Sequence, residues 1–253
     1  MKKFFLLAGA MTMLVVSSCK KDKDNDADGG NSPITKQLKK VTKTENGKTI
    51  VYNLTYDGNK LASFNSADDL ETTAFTMDGS GNIVKAALRE HNYYTVYTYT
   101  YSNGVPVSGT LKLWHKVAGE PDDLIEDDAF TYTVVNNQVT KIKQEMKLDG
   151  GELTANLTYN SKGNLEKVQT EGEEVYIISF TYGNKKPAFP TMSKYVLDLG
   201  FSLQFCAKNE LLTAVYDFPG DTMDETITTQ YTYDSDGFPL TSNDGDTQLK
   251  FEY

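Results

Sequence analysis

The sequence predicts an all-β domain, a long antiparallel meander of repeated hairpins curled toward a barrel or half-barrel. Three observations predict it. A short phrase of a large apolar residue, a threonine and usually a tyrosine recurs along the chain. Each copy is followed by residues that favour tight turns. No stretch carries a sustained apolar stripe at helical spacing.

The phrase appears as Leu54-Thr55-Tyr56, Phe75-Thr76-Met77, Tyr99-Thr100-Tyr101, Phe130-Thr131-Tyr132, Leu157-Thr158-Tyr159, Phe180-Thr181-Tyr182 and Tyr231-Thr232-Tyr233. Alternate strand residues face opposite ways, so the two large residues share one face and the threonine takes the other. Turn chemistry follows, as in Asp57-Gly58-Asn59, Asn160-Ser161-Lys162-Gly163-Asn164 and Asp234-Ser235-Asp236-Gly237. Asn, Asp and Gly tolerate the positive φ that tight hairpins require. The threonines are spaced 21, 24, 31, 27, 23 and 51 apart. The last interval is close to two ordinary ones, which predicts a worn eighth copy at Phe205-Cys206-Ala207. Two apolar pairs, Val139/Ile142 and Leu165/Val168, lie three apart, the mark of a bulge or of a first residue still in the turn. The tally is about fourteen strands. Lys186 to Gly200, broken by Pro187 and Pro190, is expected to be a loop or short helix, and Ala118 to Asp128 an irregular charged loop.

The chain before this domain reads as targeting sequence. Lys2 and Lys3 precede a mostly apolar run from Phe4 to Val16, too short for a membrane span of about 20 residues. The run ends in Val16-Ser17-Ser18-Cys19, which resembles the lipobox of bacterial lipoproteins. That resemblance implies a leader over residues 1–18, acylation at Cys19 and a membrane attachment through the lipid. Residues 19–34 contain no apolar residue larger than alanine from Lys20 to Ser32 and form a tether; the all-β domain spans 35–253. Asp22, Asp24, Asp26 and Asp28 in the tether resemble the acidic export signal of Bacteroidetes surface lipoproteins, interrupted by Lys20, Lys21 and Lys23. The address implied is the outer membrane, exposed at the cell surface or facing the periplasm.

Tyr-Thr-Tyr-Asp-Ser-Asp-Gly (231 to 237) and Leu-Thr-Tyr-Asp-Gly-Asn (54 to 59) resemble the YD repeats of RHS-type surface proteins. With the leader, the chain is similar to uncharacterised Bacteroidetes lipoproteins whose single domain of unknown function is a β meander with a porin-like curl. The resemblance implies a fold and an address; it implies no activity.

Charge and chemistry narrow the function. Removing Lys2 and Lys3 takes the basic residues from 25 to 23 against 35 acidic ones, a net charge of −12. Such a surface repels phosphate backbones, so no nucleic-acid partner is expected. Cys206 is the only cysteine left in the domain, which excludes an internal disulfide and suits a small buried apolar residue. His91 and His115 stand alone, and no metal site, cofactor motif or nucleophile–base pair is read. Acid groups at Asp68-Asp69-Glu71, Asp122-Asp123 with Glu126-Asp127-Asp128, and Asp221-Asp224-Glu225 could supply the paired carboxylates of glycoside hydrolysis, although runs of acids are usually solvation. The turns at 78–82 and 234–237 faintly resemble calcium loops without the closing acid. Aromatics offer the better candidate: Tyr93, Tyr97, Tyr99 and Tyr101 share one strand face, and Trp114 lies on the next strand. They form either a stacking platform for a glycan or protein, or the filling of a curled sheet. The reading is a lipid-anchored, non-catalytic binding or adhesion module. The alternatives are a secreted glycan hydrolase and an outer-membrane pore-like barrel, against which stand the charged residues on both faces of several strands.

Overall fold

In the computed structural model, residues 36–172, 174–220 and 224–253 are described. The leader, Cys19 and the tether lie outside them. The chain forms β1 (Lys40–Glu45), β2 (Lys48–Asp57), β3 (Lys60–Ser66), β4 (Glu71–Met77), β5 (Ile83–Glu90), β6 (Tyr93–Ser102), β7 (Val105–His115), β8 (Asp123–Val135) and β9 (Gln138–Met146). It continues as β10 (Gly151–Tyr159), β11 (Leu165–Gly172), β12 (Ile177–Tyr182), a 3₁₀ turn (Phe201–Phe205), β13 (Leu211–Asp217), β14 (Glu225–Thr228), β15 (Gln230–Tyr233), β16 (Pro239–Asn243) and β17 (Thr247–Glu252).

Each strand pairs antiparallel with the next, and β17 returns to pair with β1, so the meander closes on itself. One break remains. β14 pairs with β13 and β15 with β16, and these two segments of one path are split at Thr229, whose N–H still bonds Leu212 O at 2.8 Å. The result is a nearly closed barrel of seventeen strands. The tally exceeds fourteen because the C-terminal strands are short and this one is divided.

The repeat explains the curvature. The ladder slips by one residue after the threonine of every repeat: at Thr55/Tyr56, Thr76/Met77, Thr100/Tyr101, Thr133/Val134, Thr158/Tyr159, Thr181/Tyr182 and Thr232/Tyr233. Each slip puts two buried or half-buried residues three apart on the returning strand, as in Leu61/Phe64, Ile83/Ala86, Val139/Ile142 and Leu165/Val168. Bulges bend a strand and increase its twist, so a ring of them closes the sheet. In β8 the copy in register is Tyr132-Thr133-Val134, two residues beyond the phrase picked out by sequence. The eighth copy is not at 205–207. It is Phe251-Glu252-Tyr253, where Phe251 pairs with Val41 and the ring closes.

Turns after the phrase lie at one rim of the barrel, here the lower rim, together with both ends of the described chain. Asn103, Asn136 and Asn137 take positive φ there. Gly163, at φ 81°, is another such position, and an added Cβ would stand 2.5 Å from Lys208 Nζ. Gly163→Val is expected to destabilise the domain by about 1 to 3 kcal/mol, because a β-branched residue is strained at positive φ. A thermal melt followed by circular dichroism checks it, and an unchanged midpoint would contradict this turn.

Outward residues are mostly polar. Threonine hydroxyls pair across strands, at 2.6 Å for Thr98–Thr110 and Thr232–Thr241 and 2.7 Å for Thr55–Ser63. Lys141 and Lys143 also face outward, on β9. Inward residues below the upper mouth are mostly apolar, among them Leu54, Phe64, Ile83, Phe130, Ile142, Leu157, Val168 and Phe251.

The lumen is not open. The chain between β12 and β13 leaves the lower rim and folds back into the barrel. Tyr195, Val196 and Leu197 are at most 1% exposed, and Phe201 and Phe205 pack beside them. The hydrophobic cores at the two sides of the barrel both include residues of this insertion. The expected worn repeat at 205–207 falls inside it, since Phe205 ends the 3₁₀ turn instead of pairing in the wall. Wall tyrosines tie the plug down: Tyr132 Oη donates to Leu197 O at 2.7 Å and Tyr99 Oη to Asp198 Oδ2 at 2.8 Å. Others latch neighbouring hairpins, with Tyr56 Oη donating to Leu38 O, Tyr101 Oη to Ile83 O and Tyr159 Oη to Val139 O. A tyrosine can thus bury its ring while its hydroxyl stays partnered.

Candidate functional site at the upper mouth

The plug enters from below, and the opposite, upper mouth is lined by polar residues from strand ends. Strand alternation places them. Thr73 is buried on the inner face, so Glu71, two residues earlier, faces inward and lies directly across from Glu90. Leu111 and Leu113 are buried, and their partners across the ladder are Asp128 and Glu126. Two acids at alternate positions of one strand therefore share the mouth, while Asp127 between them points out and meets Lys112 at 2.7 Å.

Glu126 and Asp128 hydrogen-bond to each other, and Gln144 Nε2 donates to Asp128 Oδ2 at 2.5 Å. Burial, then the Asp128 charge, pushes Glu126 up to about 7. Asp128 is also raised, chiefly by burial, with the bonds from Gln144 and Glu126 opposing the shift. Both shifts favour keeping a proton on the pair as pH rises above the ordinary carboxylate range. Three strands away around the same rim, Tyr52 Oη donates to Glu71, and burial together with the facing Glu71 charge raises Glu90.

The sign of the resulting pH dependence follows. A carboxyl whose folded value is raised contributes its full stability below the ordinary carboxylate range and loses it as pH climbs through the folded value. Stability is expected to fall between about pH 4.5 and 7 by order of 1 to 2 kcal/mol, after allowing for solvent screening at this partly exposed site. Glu126→Gln should flatten that decline. Urea melts at pH 5 and 8 measure it, and equal slopes for wild type and variant would refute the proton kept on the pair.

The aromatic row divides. Tyr97, Tyr99 and Tyr101 face the lumen; Tyr97 stacks on Phe201 of the plug at 5.8 Å and on Tyr99 at 6.3 Å. These three fill the barrel and offer no open platform. Tyr93 is 41% exposed at the upper rim and packs on His115, directly opposite, with ring centroids 5.0 Å apart. Trp114 is on the other side of the wall. It pairs with Tyr94 at 5.9 Å, and Lys116 Nζ lies 5.3 Å over the Tyr94 ring. Tyr93, Tyr94, Trp114 and His115 thus form an aromatic edge straddling the wall at the mouth.

Other candidates have structural work. Asp78 Oδ1 accepts from Ser80 N and Asn82 N, and Asp234 Oδ1 from Asp236 N and Phe238 N, so these carboxylates hold their own turns. Asp68 accepts from Ser66 Oγ and Leu70 N, and Asp224 from Phe218 N. Cys206 donates to Leu203 O, and burial pushes its thiol up to about 12, far from a thiolate at neutral pH. His91 sits in a turn at φ 52°. Among the described residues no group of three His, Cys, Asp or Glu is placed to hold a metal ion.

No family model matches the chain, and no curated protein matches it. Solved structures do. A porin-like protein from Bacteroides vulgatus ATCC 8482 superposes with a TM-score of 0.57 at 15% identity, covering 86% of this chain and 98% of that one. A porin-like protein from Bacteroides uniformis ATCC 8492 gives 0.52 at 16%, covering 85% and 96%. At these identities the likeness is one of fold: a porin-like β-barrel.

Proposed function

We propose that the chain is a lipid-anchored, non-catalytic binding module of the cell envelope, which stands on its lower rim and presents the upper mouth to a glycan or protein. The observation that carries this reading is the placement of the ends. Lys36 bonds Asp234 in a lower-rim turn, and Lys39 N bonds Glu252 O beside the C-terminus. A tether from an acylated Cys19 therefore leaves the barrel opposite the aromatic edge and the Glu126–Asp128 pair.

The pore-like alternative draws on the porin-like fold. Two features weigh against it: the lumen is packed with the insertion, and the wall is apolar inside and polar outside. Lipid-facing barrels have the reverse polarity, and a lysine at the bilayer midplane costs about 2 to 4 kcal/mol. The hydrolase alternative needs carboxyls about 5 Å or more apart around a scissile bond. Glu126 and Asp128 instead hydrogen-bond directly to each other.

Glycan arrays and pull-downs with envelope extracts test the reading. Trp114 is the only tryptophan, so its fluorescence should shift on titration with a captured ligand. Tyr93→Ala and Trp114→Ala should each weaken binding at least about fivefold, as truncation of an aromatic anchor commonly does. Both side chains are partly exposed, so their removal should cost only about 1 kcal/mol of stability. Ligand binding indifferent to both substitutions would move the site elsewhere, and turnover of a bound glycan would make the chain a hydrolase.

A further inference from the structure

We infer that the lower rim is a basic docking face for the anionic headgroups of the membrane to which the chain is tethered. The inference rests on the lipid-anchor reading and adds to it a second contact made by the folded domain itself. Charge is distributed unevenly along the barrel axis. Lys39, Lys60, Lys162, Lys185 and Lys208 are exposed at the lower rim or on the insertion where it enters. Lys208 comes from the end of the insertion, next to the turn at Gly163, and Lys60 lies beside the turn at Gly81, so the lysines surround the plug.

Part of the acid charge of this rim is offset by ion pairs. Asp78 and Asp234 hold turn N–H groups; Asp234 and Asp236 bind Lys36 at 2.7 and 2.6 Å; Glu252 binds Lys40 at 2.7 Å. Glu210 is inside, accepting from Lys185 N and Tyr233 Oη. Asp57, Asp78, Glu166 and one of the two acids on Lys36 keep an unmatched charge, four against the five exposed lysines, with Lys186 a sixth cation at this rim, 3.8 Å over the Phe238 ring. The upper rim is the opposite case, with Asp68, Asp69, Glu120, Asp122, Asp244 and Asp246 in its turns against Lys48, Lys147 and Lys116, the last paired with Asp122 at 2.5 Å.

A chain of net charge −10 would be repelled by an anionic surface if its charge were spread evenly. Here it is not. Strands of 10 and 11 residues, β6 and β7, rise about 3.3 Å per residue and tilt by about 40°, which separates the rims by roughly 25 Å. The Debye length at physiological salt is about 8 Å, so the upper acids are screened from a surface that the lower lysines touch. A lysine at an anionic leaflet strengthens binding about fivefold. The tether leaves from this same rim, so anchoring brings the lysines, and not the acids, to the headgroups.

Co-sedimentation of the chain without its leader, residues 19–253 carrying Cys19→Ser, which removes acylation, tests this with vesicles of phosphatidylcholine alone and of phosphatidylcholine with about a third phosphatidylglycerol. We expect at least about tenfold tighter binding to the anionic vesicles, lost as salt is raised to about 0.5 M. Charge reversal of Lys39, Lys162, Lys185 and Lys208 to Glu should abolish the preference, whereas reversal of Lys141, Lys143 and Lys147 on and after β9 should leave it. If the reversed protein fails to fold, the salt titration and a set of lysine-to-glutamine replacements decide. Equal binding to both vesicles overturns the inference, as does a preference that survives the lower-rim changes. Fatty-acid labelling of the wild type reports the anchor separately: label without charge preference removes the docking face alone, and charge preference without label removes the anchor alone.

Discussion

Phe205→Ala is expected to destabilise the domain by about 3 to 5 kcal/mol, as much as truncating an aromatic in the centre of an ordinary core. Phe205 is not in the wall. It ends the 3₁₀ turn of the inserted segment, is 1% exposed, and packs on Phe75 at 5.4 Å, Phe189 at 6.0 Å and Phe201 at 5.3 Å. A barrel of this girth encloses more space than wall side chains alone fill, and an unfilled lumen would leave apolar wall residues facing water. The insertion is therefore the core, and the wall depends on it. Denaturant melts measure the loss. Phe205→Leu, which keeps most of the volume, should recover more than half of it. A loss under about 1 kcal/mol for alanine would mean that the segment leaves the lumen cheaply, and would reopen the pore reading.

How much of this was legible follows from what each element packs against. The hairpins were legible because one wall face meets water and the other the lumen, which writes the alternation into the sequence. Even the bulges left a trace, in Val139/Ile142 and Leu165/Val168. The plug left none. Tyr195, Val196 and Leu197 are buried on every side, so no period separates faces, and Pro187 and Pro190 read equally well as an external loop. The missing repeat was misplaced for the same reason: Phe205-Cys206-Ala207 is apolar because it lies in the lumen. The closing copy at Phe251-Glu252-Tyr253 was hidden by the glutamate that stands where the other copies have threonine. At the mouth, the spacing of Glu126 and Asp128 already put both on one strand face. The solvent-facing reading of that run failed because Asp123–Val135 is one long strand, not a charged loop. The aromatic row needed register as well as alternation. Pairing with β7 and packing on the plug separate Tyr93 from the three lumen-facing tyrosines.

Asp198→Ala is expected to be the other severe substitution, at about 3 to 5 kcal/mol, and it tests the tie between wall and plug. The carboxylate lies in the interior, 3% exposed, where Tyr99 Oη donates to Oδ2 and the Gly200 and Ser202 N–H groups donate to Oδ1, each near 3.0 Å or below. Alanine would strand all three donors, each costing about 1 to 3 kcal/mol when buried without a partner. Asparagine keeps one carbonyl oxygen for the two N–H groups and should cost far less. Tyr99→Phe removes only the wall's half of the contact, at about 1 to 2 kcal/mol, and should add little to Asp198→Ala because the two act on one bond. Burial raises Asp198 above the ordinary carboxylate range despite its donors. Its contribution is therefore largest in acid and declines as pH rises through the folded value. The stability gap between wild type and Asp198→Asn should accordingly shift in favour of the variant as the pH of the melt is raised from 4 to 8. Full additivity of Tyr99→Phe with Asp198→Ala, or a pH-independent gap, would show that the plug is held by apolar packing alone.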